Sequence, residues 1–245
     1  MRDWYRSICD YNQYFRDRWM AAEATRISVD ARVLDVGAGT GRYRSLFDHC
    51  KYEAHDFGEE PSTIGKYTPL DYKSDVTAIP VADESFDVVV CTEVLEHVPD
   101  PFKAIGEMAR ILRPNGRLLL TAPLGSILHQ EPYHFYGGYT PYWYQKFLPS
   151  VGLEVERIEA NGGFFRLFGQ EARRFSALID PRRTTHTTWR WPALVALWLA
   201  TLPCLRVLFP LLGALLDRLG LERSGTAGYH VAAVKRVRWP GTGRA

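Results

Sequence analysis

The stretch Val33-Leu34-Asp35-Val36-Gly37-Ala38-Gly39-Thr40-Gly41 constrains this chain more than any other. A short apolar strand runs into a loop with glycine at every second position, and a helix-compatible segment follows. Glycine lets the backbone turn sharply and approach a ligand with no Cβ in the way. At the mouth of a parallel sheet, that is the access a nucleotide-like cofactor requires.

The surrounding pattern supplies such a sheet. Strands are expected at about 32–36, 52–56, 87–92 and 117–122, with a short one near 70–76, and helices at about 40–48, 101–113 and 140–151. Thr140 and Pro141 read as N-cap and first helical residue, and Gly152 as the C-cap. Strands 153–159 and 228–237 complete the series. Alternation of this kind implies α/β architecture with a mostly parallel sheet. The domain reading is a helical cap at 1–28, a cofactor-binding core at 29–160, a basic and apolar helical insertion at 161–224, and a last strand with tail at 225–245. Residues 1–28 carry Trp4, Tyr5, Tyr11, Tyr14, Phe15, Trp19 and Met20 among charges. They read as one or two helices that either cover the cofactor mouth or only pack on the domain.

Composition narrows the function. With 46% apolar residues, 24% charged residues and a net charge of +2, the chain lacks the general basic surface of a nucleic-acid binder. Cys9, Cys50, Cys91 and Cys204 form no CxxC pair, so neither a zinc cluster nor a disulfide framework is expected, and a reducing compartment fits. The N-terminus has mixed charge and no apolar core, so no secretory signal is expected.

Acidic residues stand at successive strand ends. Asp35 closes the first strand beside the glycine loop, where a carboxylate can orient loop amides or meet a cationic group. Asp56 closes the second strand 19 residues after Gly37, the interval at which an acid accepts ribose hydroxyls in dinucleotide folds. Asp75 precedes the apolar Val76-Thr77-Ala78-Ile79-Pro80, a surface on which an adenine could lie. Ser85-Phe86-Asp87 opens a buried strand that ends at Cys91-Thr92-Glu93. The third glycine of the loop comes two residues after the second, not the three of G-x-G-x-x-G, so a dehydrogenase fits worse.

These residues resemble the class I S-adenosylmethionine-dependent methyltransferases of the small-molecule, methyltransferase-11-like type. The matching pieces are VLDVGAGTGRY at 33–43, the acid of HDF at 55–57, SDVTAIPVADESFDVVVCTEVLEHVPDP at 74–101, ARILRPNGRLLLTAP at 109–123 and TAGYHVAAVKR at 226–236. The resemblance implies a Rossmann-like seven-stranded, mostly parallel sheet with helices on both faces and a reversed last strand. It implies S-adenosyl-L-methionine as cofactor, with Asp35, Gly37, Ala38, Gly39 and Gly41 along its methionine portion. Asp56 would bind the ribose, Asp75 and Val76 the adenine, and Glu93 would stand beside the transferred methyl.

Methyl transfer from a sulfonium depends on alignment and desolvation, with a base where the acceptor is an oxygen or nitrogen. The candidate bases are Glu93, Glu96, His97, His129, Glu131 and His134, and those taken as catalytic are His134, Glu93 and His97. Glu93-Val94-Leu95-Glu96-His97 resembles the E-x-x-E-H run of some quinone and RNA 2′-O-methyltransferases, where it holds a divalent ion. The same run is widespread without a metal, so Glu96 and His97 are read as bracing the loop and no metal is expected. The polar and aromatic cluster His129–Tyr136 should hang over the methyl, with His134 either a base or a shaper of the loop.

Residues 161–224 have a chemistry of their own. They hold nine arginines against four acids, a net of +5 that leaves the remainder near −3. Pro192 to Leu216 is apolar except for Arg206. A single membrane span would place Arg206 near mid-bilayer at a cost of about 2.5–3.5 kcal/mol, and both ends must return to one sheet. A helical hairpin broken at Pro203 and Pro210 is expected instead. It would serve as a lid or self-association surface, or lie on an anionic membrane with Arg173, Arg174, Arg182, Arg183 and Arg190 toward head groups and Trp189, Trp191 and Trp198 at the interface.

The reading is therefore a methyltransferase acting at oxygen or carbon of a small, hydrophobic or membrane-carried acceptor. It would be cytoplasmic, peripheral on the inner membrane face through 190–219 or self-associating there, with no nucleic-acid partner. Its rivals are a non-catalytic, cofactor-binding membrane subunit and a metal-assisted RNA 2′-O-methyltransferase.

Overall fold

A computed structural model describes residues 2–59, 66–183, 191–220 and 225–236. The chain divides into two compact units: Arg18–Glu159 with Gly228–Ala245, and Met1–Asp17 with Ala160–Ala227.

The first unit is built on seven strands: β1 (Arg32–Val36), β2 (Lys51–Asp56), β3 (Tyr72–Lys73), β4 (Phe86–Thr92), β5 (Leu112–Pro123), β6 (Leu153–Ala160) and β7 (Gly228–Lys235). Their order in the sheet is β3-β2-β1-β4-β5-β7-β6. β1 pairs in parallel with β2 and β4, β4 in parallel with β5, and β7 runs antiparallel to β5. This is the mostly parallel sheet with a reversed last strand that the family resemblance implies.

The two-residue period of a strand sends alternate side chains to opposite faces. Leu34, Val36, Val89, Cys91, Leu118 and Leu120 join one buried cluster with α3 (Pro101–Ile111) and α4 (Pro141–Phe147). Val33, Val88, Val90 and Leu119 join another with Trp19, Met20 and Ala24 of α2 (Tyr11–Ala24). Of the two readings of the N-terminal aromatics, packing on the sheet is what Trp19 does. β1 and β4 are buried on both faces, as the apolar runs Val33-Leu34 and Val88-Val89-Val90-Cys91 require.

This strand order sets the place for a ligand. From β1 the chain moves outward to β2 and β3, then crosses to β4 on the other side of β1. At such a switch point the loops leaving β1 and β4 diverge, and a crevice opens beyond the carboxyl ends of the strands.

Local departures have local causes. The helix expected over 40–48 reduces to one 3₁₀ turn, Arg44–Phe47, because Gly39 and Gly41 hold φ of +52° and +70°. The helix over 140–151 starts as expected, with Thr140 Oγ1 accepting from Trp143 N (3.3 Å), but α4 ends at Phe147. Pro149, which lacks an N–H, opens a separate 3₁₀ turn that closes on Gly152 at φ +85°. The strand near 70–76 is only Tyr72–Lys73, at the sheet edge.

The second unit holds α1 (Arg2–Cys9), the start of α2, α5 (Phe164–Leu178), α6 (Trp191–Pro203) and α7 (Phe209–Asp217). The expected break in the apolar run does not occur. A π-helical turn, Cys204–Leu208, joins α6 to α7 in one rod, Trp191–Asp217, of 27 residues. That turn lies between Pro203 and Pro210, where the regular hydrogen-bond ladder lacks donors, and it carries the helix past both.

The hairpin is made instead by α5 against this rod. Glycine at 213 permits the approach, since a Cβ there would lie 2.2 Å from Phe165 O. α5 begins at Gly163, which has no capping side chain, and Asp217 caps it from the rod by accepting from Gly163 N (2.8 Å) and Phe165 N (3.1 Å). Trp198 is buried and donates to Ser176 O (2.8 Å), and Arg206 donates to Ser176 Oγ (2.8 Å). Leu194, Leu197, Leu208, Leu211 and Leu215 leave a mainly exposed apolar stripe along the rod. Trp189, Arg190 and the Arg183 side chain lie outside the described residues.

Candidate functional site

A cavity of about 290 Å³ opens at the switch point. Its wall brings together Gly37 and Gly39 after β1, His55 and Asp56 at the end of β2, Asp75 and Val76 after β3, and Glu93, Val94 and His97 after β4. Gln130, Tyr133 and Phe135 come from the loop after β5.

The loop geometry explains its glycines. Gly37 has φ +74°, and a Cβ there would stand 2.3 Å from Val94 Cγ2. The chain turns back hard enough for Gly37 N and Ala38 N both to donate to His55 O, at 2.9 and 3.0 Å. Asp56 fixes the opposite side: its Oδ2 accepts from Gly39 N and its Oδ1 from Gly58 N, each at 3.0 Å. One carboxylate thus ties two ligand loops and still faces the cavity with its remaining lone pairs.

Asp75 Oδ1 accepts from Thr77 N (2.8 Å) and Thr77 Oγ1 (2.7 Å), which orients the carboxylate at the cavity edge above buried Val76. Glu93 has φ +55°, an uncommon conformation for a side-chain-bearing residue and one that clusters at functional sites. Two bonds hold it there, Glu93 N to Thr121 O and Thr121 Oγ1 to Glu93 Oε1, both 2.9 Å. Three carboxylates therefore line one cavity. That arrangement opposes phosphate and favours a cationic group or hydroxyl donors.

Four of the expected site residues stand off this wall. Asp35 is buried beneath the loop, its Oδ2 accepting from Tyr52 OH at 2.6 Å. Burial pushes its carboxyl up to about 6, the Tyr52 bond opposes the rise, and the nearby Asp56 charge adds to it. β1 alternation is the reason: Asp35 points to the same face as Val33. Ala38 is buried in the turn, Gly41 faces Thr68, and His134 bonds Ser126 Oγ (2.9 Å) in the loop after β5.

His97 does line the cavity. Its Nδ1 bonds Tyr133 O at 2.5 Å, and since a carbonyl only accepts, Nδ1 carries the proton and Nε2 offers a lone pair. Burial lowers its pKa, which keeps the ring neutral. Glu96 is buried behind it, and Glu131 is exposed in the loop after β5.

Sequence reasoning missed Phe57, Tyr67, Val94, Val98 and Pro99 of the apolar wall, whereas Tyr133 and Phe135 belong to the His129–Tyr136 cluster expected over the methyl. Phe57 and Tyr133 meet edge to face with ring centroids 5.2 Å apart, from loops far apart in the chain. Their sole signal was position, one residue past a strand end or inside the His129–Tyr136 cluster.

Comparison with known proteins places this geometry. A family described as a methyltransferase domain matches residues 34–120. An uncharacterized methyltransferase of Mycobacterium sp. (strain KMS) is 29% identical over 209 residues, 78% of this chain and 77% of the relative. A demethylmenaquinone methyltransferase of Renibacterium salmoninarum is 34% identical over 118 residues, 46% of this chain and 50% of its own length. Among solved structures, phosphoethanolamine N-methyltransferase 2 of Haemonchus contortus, in complex with S-adenosyl-L-methionine, superposes with a TM-score of 0.52 at 16% identity. That match covers 91% of this chain and 53% of the other, and at such identity it speaks to the fold alone.

Proposed function

Given that the chain is a class I S-adenosylmethionine-dependent methyltransferase, we propose that it methylates a small, hydrophobic, membrane-carried acceptor at oxygen or carbon. The observation that carries this reading is the composition of the cavity wall, which combines three carboxylates, Asp56, Asp75 and Glu93, with the apolar groups Phe57, Val94, Val98, Tyr133 and Phe135. The carboxylates fit the cofactor: Asp56 takes the ribose hydroxyls, Asp75 and Val76 hold the adenine, and Gly37 and Gly39 leave room for the methionine portion. Asp35 acts from below, through the field of its carboxylate. The cofactor supplies a methyl group on a cationic sulfur, already activated for displacement.

The apolar groups receive the acceptor and exclude water, which strengthens the attraction between the carboxylates and the cationic donor. Glu93 and His97 are the titratable groups on the wall that can take the acceptor's proton. His134 stands back from the wall and shapes the loop after β5. The relative of Renibacterium salmoninarum is named for demethylmenaquinone, and an acceptor of the quinone class suits an apolar wall of this size.

Membrane supply of the acceptor is supported by the rod Trp191–Asp217. Its length and composition would suffice to cross a bilayer. Yet the chain enters and leaves the insertion through β6 and β7, neighbours in one sheet. Burying the rod's stripe in one leaflet of an anionic membrane meets both conditions, with Arg174, Arg182 and Arg218 for the head groups. In this reading the protein is cytoplasmic and peripheral on the inner membrane face.

The test is transfer of isotope-labelled methyl from the cofactor into fractionated cell extract. Label in the organic-soluble fraction is expected; label confined to aqueous metabolites or RNA refutes the hydrophobic acceptor. Flotation with anionic liposomes tests the surface: protein left at the bottom at low salt, or dimers formed through the rod instead, refutes the membrane assignment.

A further inference from the structure

We propose that Arg173 and Arg206 form a binding site for the phosphate group of an anionic lipid, between α5 and the rod Trp191–Asp217. The site rests on the membrane reading of the rod for its source of ligand, and it gives that surface a specific point of recognition.

The charges of residues 161–224 leave these two arginines over. Asp217 pairs with Arg166 (3.4 Å), Glu171 with Arg174 (3.1 Å) and Asp180 with Arg182 (2.8 Å). Glu222 lies outside the described residues. Among the described residues, no carboxylate lies within ion-pair distance of Arg173 or Arg206. Both arginines are half-buried. An uncompensated cation in that setting is unfavourable, and two at one turn repel each other.

A ring of hydrogen bonds nevertheless fixes them there. Arg206 O lacks its regular helical donor, because residue 210 is proline, and Arg173 Nη1 donates to it instead (3.2 Å). Arg206 Nε donates to Ser176 Oγ (2.8 Å), and Ser176 Oγ donates to Arg173 O (2.7 Å). Ser176 is fully buried. A glutamine amide could make either arginine's bond without a charge, so helix packing alone does not call for two guanidinium groups. The terminal N–H groups of Arg206 meet no acceptor among the described residues. Tyr5 of α1 adds a phenol, its OH 3.5 Å from Arg173 Nη2 and its ring centroid 6.0 Å from the guanidinium carbon. Planar forks with unused N–H donors match phosphate oxygens, which arginine binds through paired bonds.

The surroundings favour a lipid over free phosphate. Phe175 and Leu178 on α5, and Val207 and Leu208 on the rod, are neighbours of the arginines in sequence and more than half exposed. An anion-binding pair set in an exposed apolar surface suits an amphiphile that carries phosphate and acyl chains together. It also gives a reason for Arg206, the charge that interrupts the apolar run 192–216.

The test is calorimetric titration of the full chain with dihexanoyl phosphatidic acid below its micelle concentration, beside inorganic phosphate. Saturation at one lipid per chain is expected, at least about 10-fold tighter than inorganic phosphate because the chains bury methylenes. Arg206→Gln and Arg173→Gln each keep a donor for the packing bond, and each should weaken lipid binding at least about 10-fold. Lys146→Gln, an equal change of charge on α4, should not. Arg206→Lys keeps the charge without the fork and should stay weak. Circular dichroism checks folding, and if one glutamine variant loses helix the other decides. No saturable lipid binding, binding unchanged in the glutamine variants, full recovery in Arg206→Lys, or inorganic phosphate bound as tightly as the lipid overturns the site. Flotation on anionic liposomes separates the site from the membrane reading. Flotation indifferent to both glutamine variants removes the site and keeps the surface, whereas soluble-lipid binding that needs both arginines, without flotation, keeps the site and refutes the surface.

Discussion

Asp56→Ala removes the side chain on which the cofactor assignment most depends. In the free protein its carboxylate accepts from Gly39 N and Gly58 N, both at 3.0 Å, and in the complex its remaining lone pairs would accept from the ribose hydroxyls. A hydrogen bond to a charged group contributes about 1.5–3 kcal/mol net. Loss of one such ribose bond weakens binding about 10- to 150-fold; loss of both would exceed that range, and slackening of the two loops adds to it. Asp56→Asn keeps one acceptor oxygen and should fall between wild type and alanine. Isothermal calorimetry with S-adenosylmethionine and with its demethylated product separates ribose recognition from charge attraction. Both ligands carry the ribose but only the first carries the sulfonium, so the ribose reading requires nearly equal losses. Unchanged affinity, or a loss confined to the sulfonium ligand, would refute it.

Three further outcomes follow from the geometry. Glu93→Gln keeps the Thr121 contact but removes the charge beside the reacting centre, and should lower kcat at least about 100-fold with cofactor affinity altered far less; equal losses in both would show a binding role only. Asp35 titrates near 6 when folded against an ordinary 3.8. Its raised value contributes stability that is fully present below about pH 4 and lost as pH rises through 6, on the order of 3 kcal/mol. Urea unfolding at intervals from pH 4 to 7 should show Asp35→Asn gaining on wild type across that window, and parallel curves would refute the burial argument. Leu197→Asp with Leu208→Asp charges two exposed positions of the rod, 62% and 53% accessible. Liposome flotation should be lost while the melting temperature holds within a few degrees; persistent flotation would move the membrane contact elsewhere.

The sequence alone determined the sheet. Strand alternation, the glycine-spaced loop and the acids at 56, 75 and 93 are local signals, because a strand's period and a turn's φ are set by neighbouring residues. The family resemblance that those signals carry is what named Gly37, Gly39, Asp56, Asp75, Val76, Glu93 and His97 without coordinates. Only the tertiary structure decided which way each side chain points and what meets across the crevice. Pleat alternation turned Asp35 away from the cavity. The pairing of α5 with the rod Trp191–Asp217, capped by Asp217, replaced a break that two prolines had suggested. The folding of the loop after β5 onto β4 brought Tyr133 over Phe57 and His129 beside His97. Those contacts join residues more than 30 positions apart, and their partners are selected by packing and hydrogen-bond satisfaction over the whole fold, which no local pattern encodes.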